Sequence, residues 1–176
     1  MSVTDEVLQA NEQYAAKFNQ GGLPMPPARK LAVLACMDAR LSVDQVLGLK
    51  TGDAHVIRNA GGVATEDALR SLIISHHLLG TQEFIVINHT DCGMLTFEDS
   101  ELLNRLEEQT GSAAVAPVHF HAFKDVAGNV RRQVARIKAH PFVPKHIPVR
   151  GFIYDVKTGK LQEVGEERPR TVQKSA

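Results

Sequence analysis

Short runs rich in aliphatic residues constrain the fold of this chain more than any other feature. They occupy residues 31–36, 55–58, 84–88 and 149–155, and the first and third are almost wholly apolar. A continuous apolar run of this length is typical of a strand that is buried on both faces, as the strands of parallel sheets are. The runs therefore predict four strands of a mostly parallel sheet.

Helical periodicity fills much of the sequence between these runs. Apolar residues recur at helical spacing through 66–79, with Thr65 as a plausible N-cap and Gly80 as a stop. A second long stripe covers 118–139, and residues 102–117 predict a short helix followed by a loop. Strands that alternate with helices predict an α/β fold, in which helices flank a mostly parallel central sheet.

The chain is predicted to form a single domain over residues 1–176, a length that suits one hydrophobic core. Residues 1–22 predict a protruding helical arm, and the prolines that follow predict an extended connector to a core over 30–160. An amphipathic helix that protrudes is expected to pack on a partner subunit. The tail, 165–176, is nearly devoid of apolar residues and is expected to be mobile.

The charge balance argues against two classes of partner. Lys and Arg together number 20, as do Asp and Glu, so no global field attracts nucleic acid or an anionic membrane. No segment approaches the roughly 20 apolar residues of a membrane span, and the N-terminus lacks a basic stretch followed by an apolar run. We therefore expect a cytoplasmic protein that binds neither nucleic acid nor a membrane.

Two cysteines and one histidine stand where predicted strands end. Cys36 closes the first apolar run, and His89 and Cys92 follow the run at 84–88 with His-x-x-Cys spacing. Because ligands bind beyond the carboxyl ends of parallel strands, both segments are expected to meet at one crevice. Two thiolates and one imidazole suit Zn²⁺ and leave a fourth position for water. We expect one Zn²⁺ per chain, held by these three side chains.

Four nearby residues are candidates for catalysis and substrate binding. An ionised Asp38 only accepts hydrogen bonds, so it could orient a zinc-bound hydroxide, and Arg40 would keep Asp38 ionised and in place. These two are the predicted catalytic residues. Gly61 and Gly62 let the backbone approach the metal pocket, and their N–H groups could stabilise negative charge on a substrate. These glycines are the predicted substrate-binding residues.

Two motifs, Cys-x-Asp-x-Arg beginning at Cys36 and His-x-x-Cys-Gly beginning at His89, resemble those of the β-class carbonic anhydrases. The resemblance extends from about residue 30 to the strand at 149, and within that superfamily the chain is similar to the short branch that includes carbonyl sulfide hydrolases. It implies a Cys₂His zinc site, an Asp–Arg dyad and a homodimer or homotetramer. Plant-type members carry a glutamine nine residues before the first zinc cysteine, where this chain has Pro27.

The reaction implied by the resemblance is attack of zinc-bound hydroxide on the central carbon of a small linear cumulene. Zinc lowers the pKa of water from about 15.7 toward about 7, so that hydroxide exists at neutral pH. Carbon dioxide would give bicarbonate, and carbonyl sulfide would give hydrogen sulfide and carbon dioxide. The sequence favours carbon dioxide and carbonyl sulfide nearly equally as the substrate. An apolar pocket near Leu41 and Val63 would suit carbonyl sulfide.

Two other classes of function stay open at this point. A non-catalytic zinc-binding module would need a fourth permanent protein ligand, for which Asp38 is the nearby candidate. A thiol redox protein would instead pair Cys36 with Cys92 as a disulfide.

Overall fold

A five-stranded sheet forms the centre of the protein in the computed structural model, which describes residues 2–113 and 118–165. The sheet order is β2-β1-β3-β4-β5; the first four strands pair in parallel and β5 runs antiparallel to β4. The strands are β1 (Leu31–Cys36), β2 (Ala54–Asn59), β3 (Glu83–His89), β4 (Val149–Tyr154) and β5 (Leu161–Glu163). The predicted α/β fold with a mostly parallel central sheet is confirmed.

Five α-helices accompany the sheet within the described ranges. They are α1 (Val3–Ala15), α2 (Val43–Leu47), α3 (Glu66–His77), α4 (Asp99–Thr110) and α5 (Val126–Ala139). As the sequence predicts, the Thr65 side chain caps α3 by accepting a hydrogen bond from the backbone N–H of Ala68. The chain leaves this helix through Gly80, whose positive φ of 74° suits glycine.

The two central strands are buried on both faces, which explains their continuous apolar runs. Leu34 of β1 packs on one face in a cluster that includes Ile137 of α5. Val33, its neighbour along the strand, packs on the other face in a cluster that includes Cys92. Because alternate side chains of a strand point to opposite faces, β1 contributes to both halves of the core. The second of these clusters leads to the candidate site.

The predicted helix over 118–139 is wrong in its first third, because α5 begins at Val126. The Asp125 side chain accepts hydrogen bonds from the two N–H groups at 127–128, which fixes the start of α5. Upstream, the Asp99 carboxylate accepts hydrogen bonds from the three N–H groups at 120–122. These carboxylates satisfy backbone donors that a longer helix would have used, so the apolar spacing does not determine the helix boundary.

Two short elements, α2 and β5, were missed by the sequence analysis. The first spans five residues and the second three. Elements of this length contain too few residues for a hydrophobic period to be recognised.

Helix α1 forms the protruding arm that the sequence predicts. Ser2 and Asp5 form a capping box, in which each side chain accepts a hydrogen bond from the backbone N–H of the other. None of the helix residues is buried, and its exposed apolar side chains include Val7 and Tyr14. Within the described ranges, no helix is long and apolar enough to cross a membrane. The expected mobile tail lies, after Gly165, outside the described residues.

We predict that α1 is buried between copies of this chain in a homodimer or homotetramer. Its apolar side chains are exposed to water in the single chain. Burying them against another copy would lower the free energy of the assembly. Removal of residues 1–22, or the substitution Val7→Glu, should therefore lower the oligomeric state that light scattering measures after size exclusion. Gln9→Glu places the same charge on the opposite face of the helix and should leave the oligomer unchanged. A full-length protein that is an active monomer would contradict this prediction.

Candidate metal centre

The carboxyl ends of β1 and β3 bring the predicted metal ligands together. Cys36 is the last residue of β1 and His89 is the last residue of β3, and the two strands are neighbours in parallel register. Cys92 follows in the turn that leads to a short 3₁₀ helix, Gly93–Leu95. The sheet order changes direction here, since β2 lies on one side of β1 and β3 lies on the other. The expectation that both segments meet at one crevice is confirmed.

The three side chains offer a group of donors that could hold a metal ion. The two sulfur atoms and one imidazole nitrogen lie within 4.8 Å of one another, and all three residues are buried. His89 Nδ1 donates a hydrogen bond to the carbonyl of Thr90 at 2.8 Å, so Nε2 is the atom left to accept or to bind a metal. Among the described residues, it is the buried side-chain polar atom that lacks a hydrogen-bond partner. Such an atom is costly unless an ion or a water satisfies it, and the donor set suits Zn²⁺.

The two thiols influence each other's protonation. A hydrogen bond from the Cys92 thiol to the Cys36 sulfur lowers the pKa of Cys36 well below its ordinary value, and the same contact raises the pKa of Cys92. The backbone N–H of Gly61 also donates to the Cys36 sulfur, at 3.3 Å. Cys36 is therefore prepared as a thiolate, the form in which cysteine binds metal ions. Both cysteines are free of disulfide bonds.

Asp38 and Arg40 form a bidentate ion pair beside these donors. Arg40 Nε donates to Asp38 Oδ1 at 2.9 Å, and Arg40 Nη2 donates to Asp38 Oδ2 at 2.8 Å. These hydrogen bonds hold the pKa of the Asp38 carboxyl well below its usual range. Asp38 Oδ2 lies 3.6 Å from His89 Nε2, at the edge of the donor group. The structure thus brings the predicted catalytic pair next to the predicted ligands.

Asp91 is a partner of Arg40 that the sequence analysis missed. Its Oδ2 accepts from Arg40 Nη1 at 2.7 Å, and its carbonyl accepts from Arg40 Nη2 at 2.9 Å. Asp91 has a positive φ of 54° in the turn between His89 and Cys92. The Arg40 guanidinium is therefore held between two carboxylates. The acidic residue inside the His-x-x-Cys motif was the signal available in the sequence.

Arg58, near the end of β2, is a second residue without a sequence-derived role. Its Nε and Nη2 donate to the carbonyl of Cys36 at 3.0 and 2.9 Å, and Nη2 also donates to the carbonyl of Asp38 at 2.7 Å. The guanidinium thereby fixes the backbone that carries the first ligand and the dyad carboxylate. Its signal in the sequence was a cation at the end of the run 55–58, which is predicted to be a strand.

Gly61 and Gly62 form a tight turn against the metal centre, with positive φ values of 80° and 58°. A Cβ atom on Gly62 would lie 2.8 Å from the Asn88 side chain and 2.9 Å from backbone atoms of both β1 and β3, so a side chain has no room there. The Gly61 N–H donates to the Cys36 sulfur and the Gly62 N–H donates to the carbonyl of Asn59. Both N–H groups thus have acceptors within the protein. Their role toward a substrate stays a prediction.

Apolar side chains pack with the two cysteines on one side of the candidate centre. Leu41 is fully buried in the cluster that contains both cysteines, and the partly buried Leu95 and Phe97 pack against the same cluster. The candidate centre therefore combines a polar dyad with an apolar wall.

Comparisons with known proteins agree with this geometry. A sequence profile described as carbonic anhydrase matches residues 31–161. A protein of Mycobacterium tuberculosis named β-carbonic anhydrase 1 is 51% identical over 165 residues, which cover 93% of this chain and 99% of that protein. The chain belongs to the β-carbonic anhydrase family. The resemblance inferred from the two sequence motifs is confirmed.

Two further relatives show how far the likeness to β-carbonic anhydrases and their superfamily extends. The crystal structure of a carbonic anhydrase from Streptococcus mutans superimposes with a TM-score of 0.89 at 42% identity, covering 94% of this chain and 99% of that one. A carbon disulfide hydrolase from Acidithiobacillus thiooxidans is 35% identical over 172 residues, which cover 88% of this chain and 85% of that protein. The superfamily thus includes proteins named for two different small substrates.

We predict that the purified protein contains about one zinc per chain, bound by Cys36, His89 and Cys92. Replacement of any of the three by alanine removes one of three donors and should abolish stoichiometric zinc in elemental analysis. Met37→Ala is the matched control, because Met37 adjoins Cys36 in the chain but its side chain is exposed. Stoichiometric zinc in all three ligand variants would refute the assignment.

Proposed function

We propose that the protein is a zinc-dependent enzyme that adds water to carbon dioxide and forms bicarbonate. The observation that carries this proposal is the convergence of Cys36, His89 and Cys92 around the unpartnered His89 Nε2, with the Asp38 carboxylate 3.6 Å from that atom. Three donors leave one tetrahedral position for water. A bound Zn²⁺ would supply the acidity, since it lowers the pKa of water to about 7.

Asp38 is the residue we assign to orient the attacking water. Its low pKa keeps it ionised at neutral pH, so the carboxylate accepts hydrogen bonds and donates none. Oδ1 accepts hydrogen bonds from both the backbone N–H and Nε of Arg40, whereas Oδ2 accepts one from Arg40 Nη2 and retains a further acceptor site. Oδ2, the oxygen nearest His89, can accept the water's hydrogen and so turn an oxygen lone pair toward the substrate.

Arg40 and Asp91 hold Asp38 in that orientation. The bidentate contact fixes the plane of the Asp38 carboxylate, because the guanidinium fork is rigid. Arg40 is itself fixed by its two contacts with Asp91.

The apolar wall supports a substrate that is small and weakly polar. Leu41 and Phe97 pack against the cluster that contains the two cysteines, and such surroundings favour a linear molecule without charge over an ionic one. A redox function for the two cysteines is less well supported, because it gives no role to His89 Nε2 or to the dyad beside it.

Carbonyl sulfide is the second candidate substrate. The carbon disulfide hydrolases among the relatives are named for a linear sulfur-bearing molecule, and one of them is 35% identical to this chain. Carbonyl sulfide lies between carbon dioxide and carbon disulfide in composition, so the same attack on the central carbon would yield hydrogen sulfide and carbon dioxide. We further propose a cytoplasmic homodimer or homotetramer as the working form.

We predict that Asp38→Ala retains zinc but loses turnover by about 10- to 100-fold, the usual cost of removing a residue that orients a metal-site group. Arg40→Ala should lower turnover less, because Asp38 is kept but becomes mobile. Stopped-flow hydration assays with parallel zinc analysis measure both effects. Asp67→Ala breaks an exposed ion pair with Arg70 on α3 and serves as the control. Wild-type turnover in Asp38→Ala would remove the role given to Asp38.

The choice between the two substrates is tested on a single preparation of the wild-type protein. We expect carbon dioxide hydration, and we expect hydrogen sulfide release from carbonyl sulfide at a comparable rate if the apolar wall admits sulfur. Background sulfide release beside fast hydration would leave carbon dioxide as the substrate and exclude the second candidate. Absence of both activities in zinc-loaded protein would overturn the proposed function.

A further inference from the structure

A chain of buried side-chain amides runs from α5 to the turn beside the metal centre. The Gln133 side chain accepts a hydrogen bond from the backbone N–H of Ala64 at 3.0 Å and donates to Asn129 Oδ1 at 2.8 Å. Asn129 Nδ2 donates to Asn88 Oδ1 at 2.7 Å, and Asn88 Nδ2 donates to the carbonyl of Gly62 at 3.4 Å. Both ends of this network of amides are therefore bonded to the same turn, residues 60–64.

These amides are buried, so each depends on the others for its hydrogen bonds. Asn88 is 0% exposed, Asn129 is 3% exposed and Gln133 is 7% exposed. Buried polar groups are costly unless they are hydrogen-bonded, and a network with one partner missing leaves several groups unsatisfied. The backbone N–H of Ala64 can only donate, so it fixes which end of the Gln133 amide faces the turn, and the remaining amide orientations follow.

The network holds the turn at the point where it contacts the first metal ligand. Gly62 lies against backbone atoms of β1 and β3, too close for any side chain. Gly61, one residue earlier, donates its N–H to the Cys36 sulfur at 3.3 Å. A small movement of the turn would lengthen this contact. The hydrogen bond would then weaken, because its strength falls steeply with distance and angle.

We propose that Asn129 and Gln133 are positioning residues for the metal centre. Their amides, acting through Asn88, hold the turn so that the Gly61 N–H stays on the Cys36 sulfur. This hydrogen bond withdraws electron density from the thiolate and thereby adjusts how strongly Cys36 binds the metal. The proposal rests on the zinc site proposed above and adds to it two residues of α5, a helix that contributes none of the metal ligands.

The alternative is that the network only packs the core, in which case its loss lowers thermal stability and nothing else. Gln133→Met removes both hydrogen bonds of that amide at nearly constant length. Asn129→Ser removes the middle of the network with a smaller side chain. Ile137→Ala is the control, because Ile137 is fully buried on the same helix but its apolar side chain takes no part in the hydrogen-bonded network.

The experiment compares three readouts on each full-length variant: the melting temperature, zinc affinity by competition with a chelator, and the thiolate-to-cobalt charge-transfer band after Co²⁺ substitution. We expect Gln133→Met and Asn129→Ser to bind zinc about tenfold more weakly and to shift the band. Ile137→Ala should melt at a lower temperature with wild-type affinity and an unchanged band. Gln133→Glu keeps an oxygen acceptor for the Ala64 N–H. Its zinc affinity should therefore lie between those of Gln133→Met and the wild-type protein.

Wild-type zinc affinity and an unshifted cobalt band in either amide variant that folds would overturn the proposal. Should Gln133→Met fail to fold, Asn129→Ser and Gln133→Glu decide between the two readings. Failure of the wild-type protein itself to bind zinc is a separate result. It would overturn the proposed function, and this inference with it.

Discussion

The hydrogen-bonded pairing of β1 with β3 is the constraint on which the candidate site depends. Parallel strands end at the same edge of a sheet, and this pair places Cys36 and His89 side by side at that edge. The candidate ligands Cys36 and His89 come from segments more than fifty residues apart, so the sheet register, and no local motif, determines the distance between them. The neighbouring strand β2 completes the arrangement, since its Arg58 holds the backbone that follows β1.

Most of the fold could be predicted from the sequence because burial on both faces leaves a strong pattern. The apolar runs of β1 and β3 identify these strands, and Thr65 correctly marks the start of α3. The start of α5 could not be predicted from periodicity. The apolar residues that precede it continue a helical stripe, but the Asp99 carboxylate binds three backbone N–H groups at 120–122 and holds that segment in a loop. The Asp125 side chain then caps the first turn of α5, so a distant contact and a local cap together determine this boundary.

The residues of the candidate site likewise divide into those that the sequence predicts and those that it does not. The ligand triad and the Asp38–Arg40 pair follow from residue type and spacing, because metal donors and a dyad leave recognisable motifs. Asp91, Arg58 and the amides of Asn129 and Gln133 act through backbone carbonyls or other side chains, and such contacts leave no characteristic spacing. The adjacent glycines Gly61 and Gly62 indicate close backbone approach, whereas the acceptors of their N–H groups are visible only in the folded geometry.

The proposed zinc site would link the lifetime of the protein to the metal supply of its surroundings through His89 Nε2. Among the described residues this nitrogen is buried without a hydrogen-bond partner, and a buried polar atom left unsatisfied costs about 1–3 kcal/mol, a penalty that an unfolded chain, solvated by water, does not incur. An ion that binds the folded form but not the unfolded one adds stability by mass action, about 2.7 kcal/mol at a hundredfold excess over its dissociation constant. If zinc fills the proposed site, newly made chains that meet little zinc would be the population most exposed to proteolysis, and zinc scarcity would lower the amount of protein as well as the fraction that holds zinc.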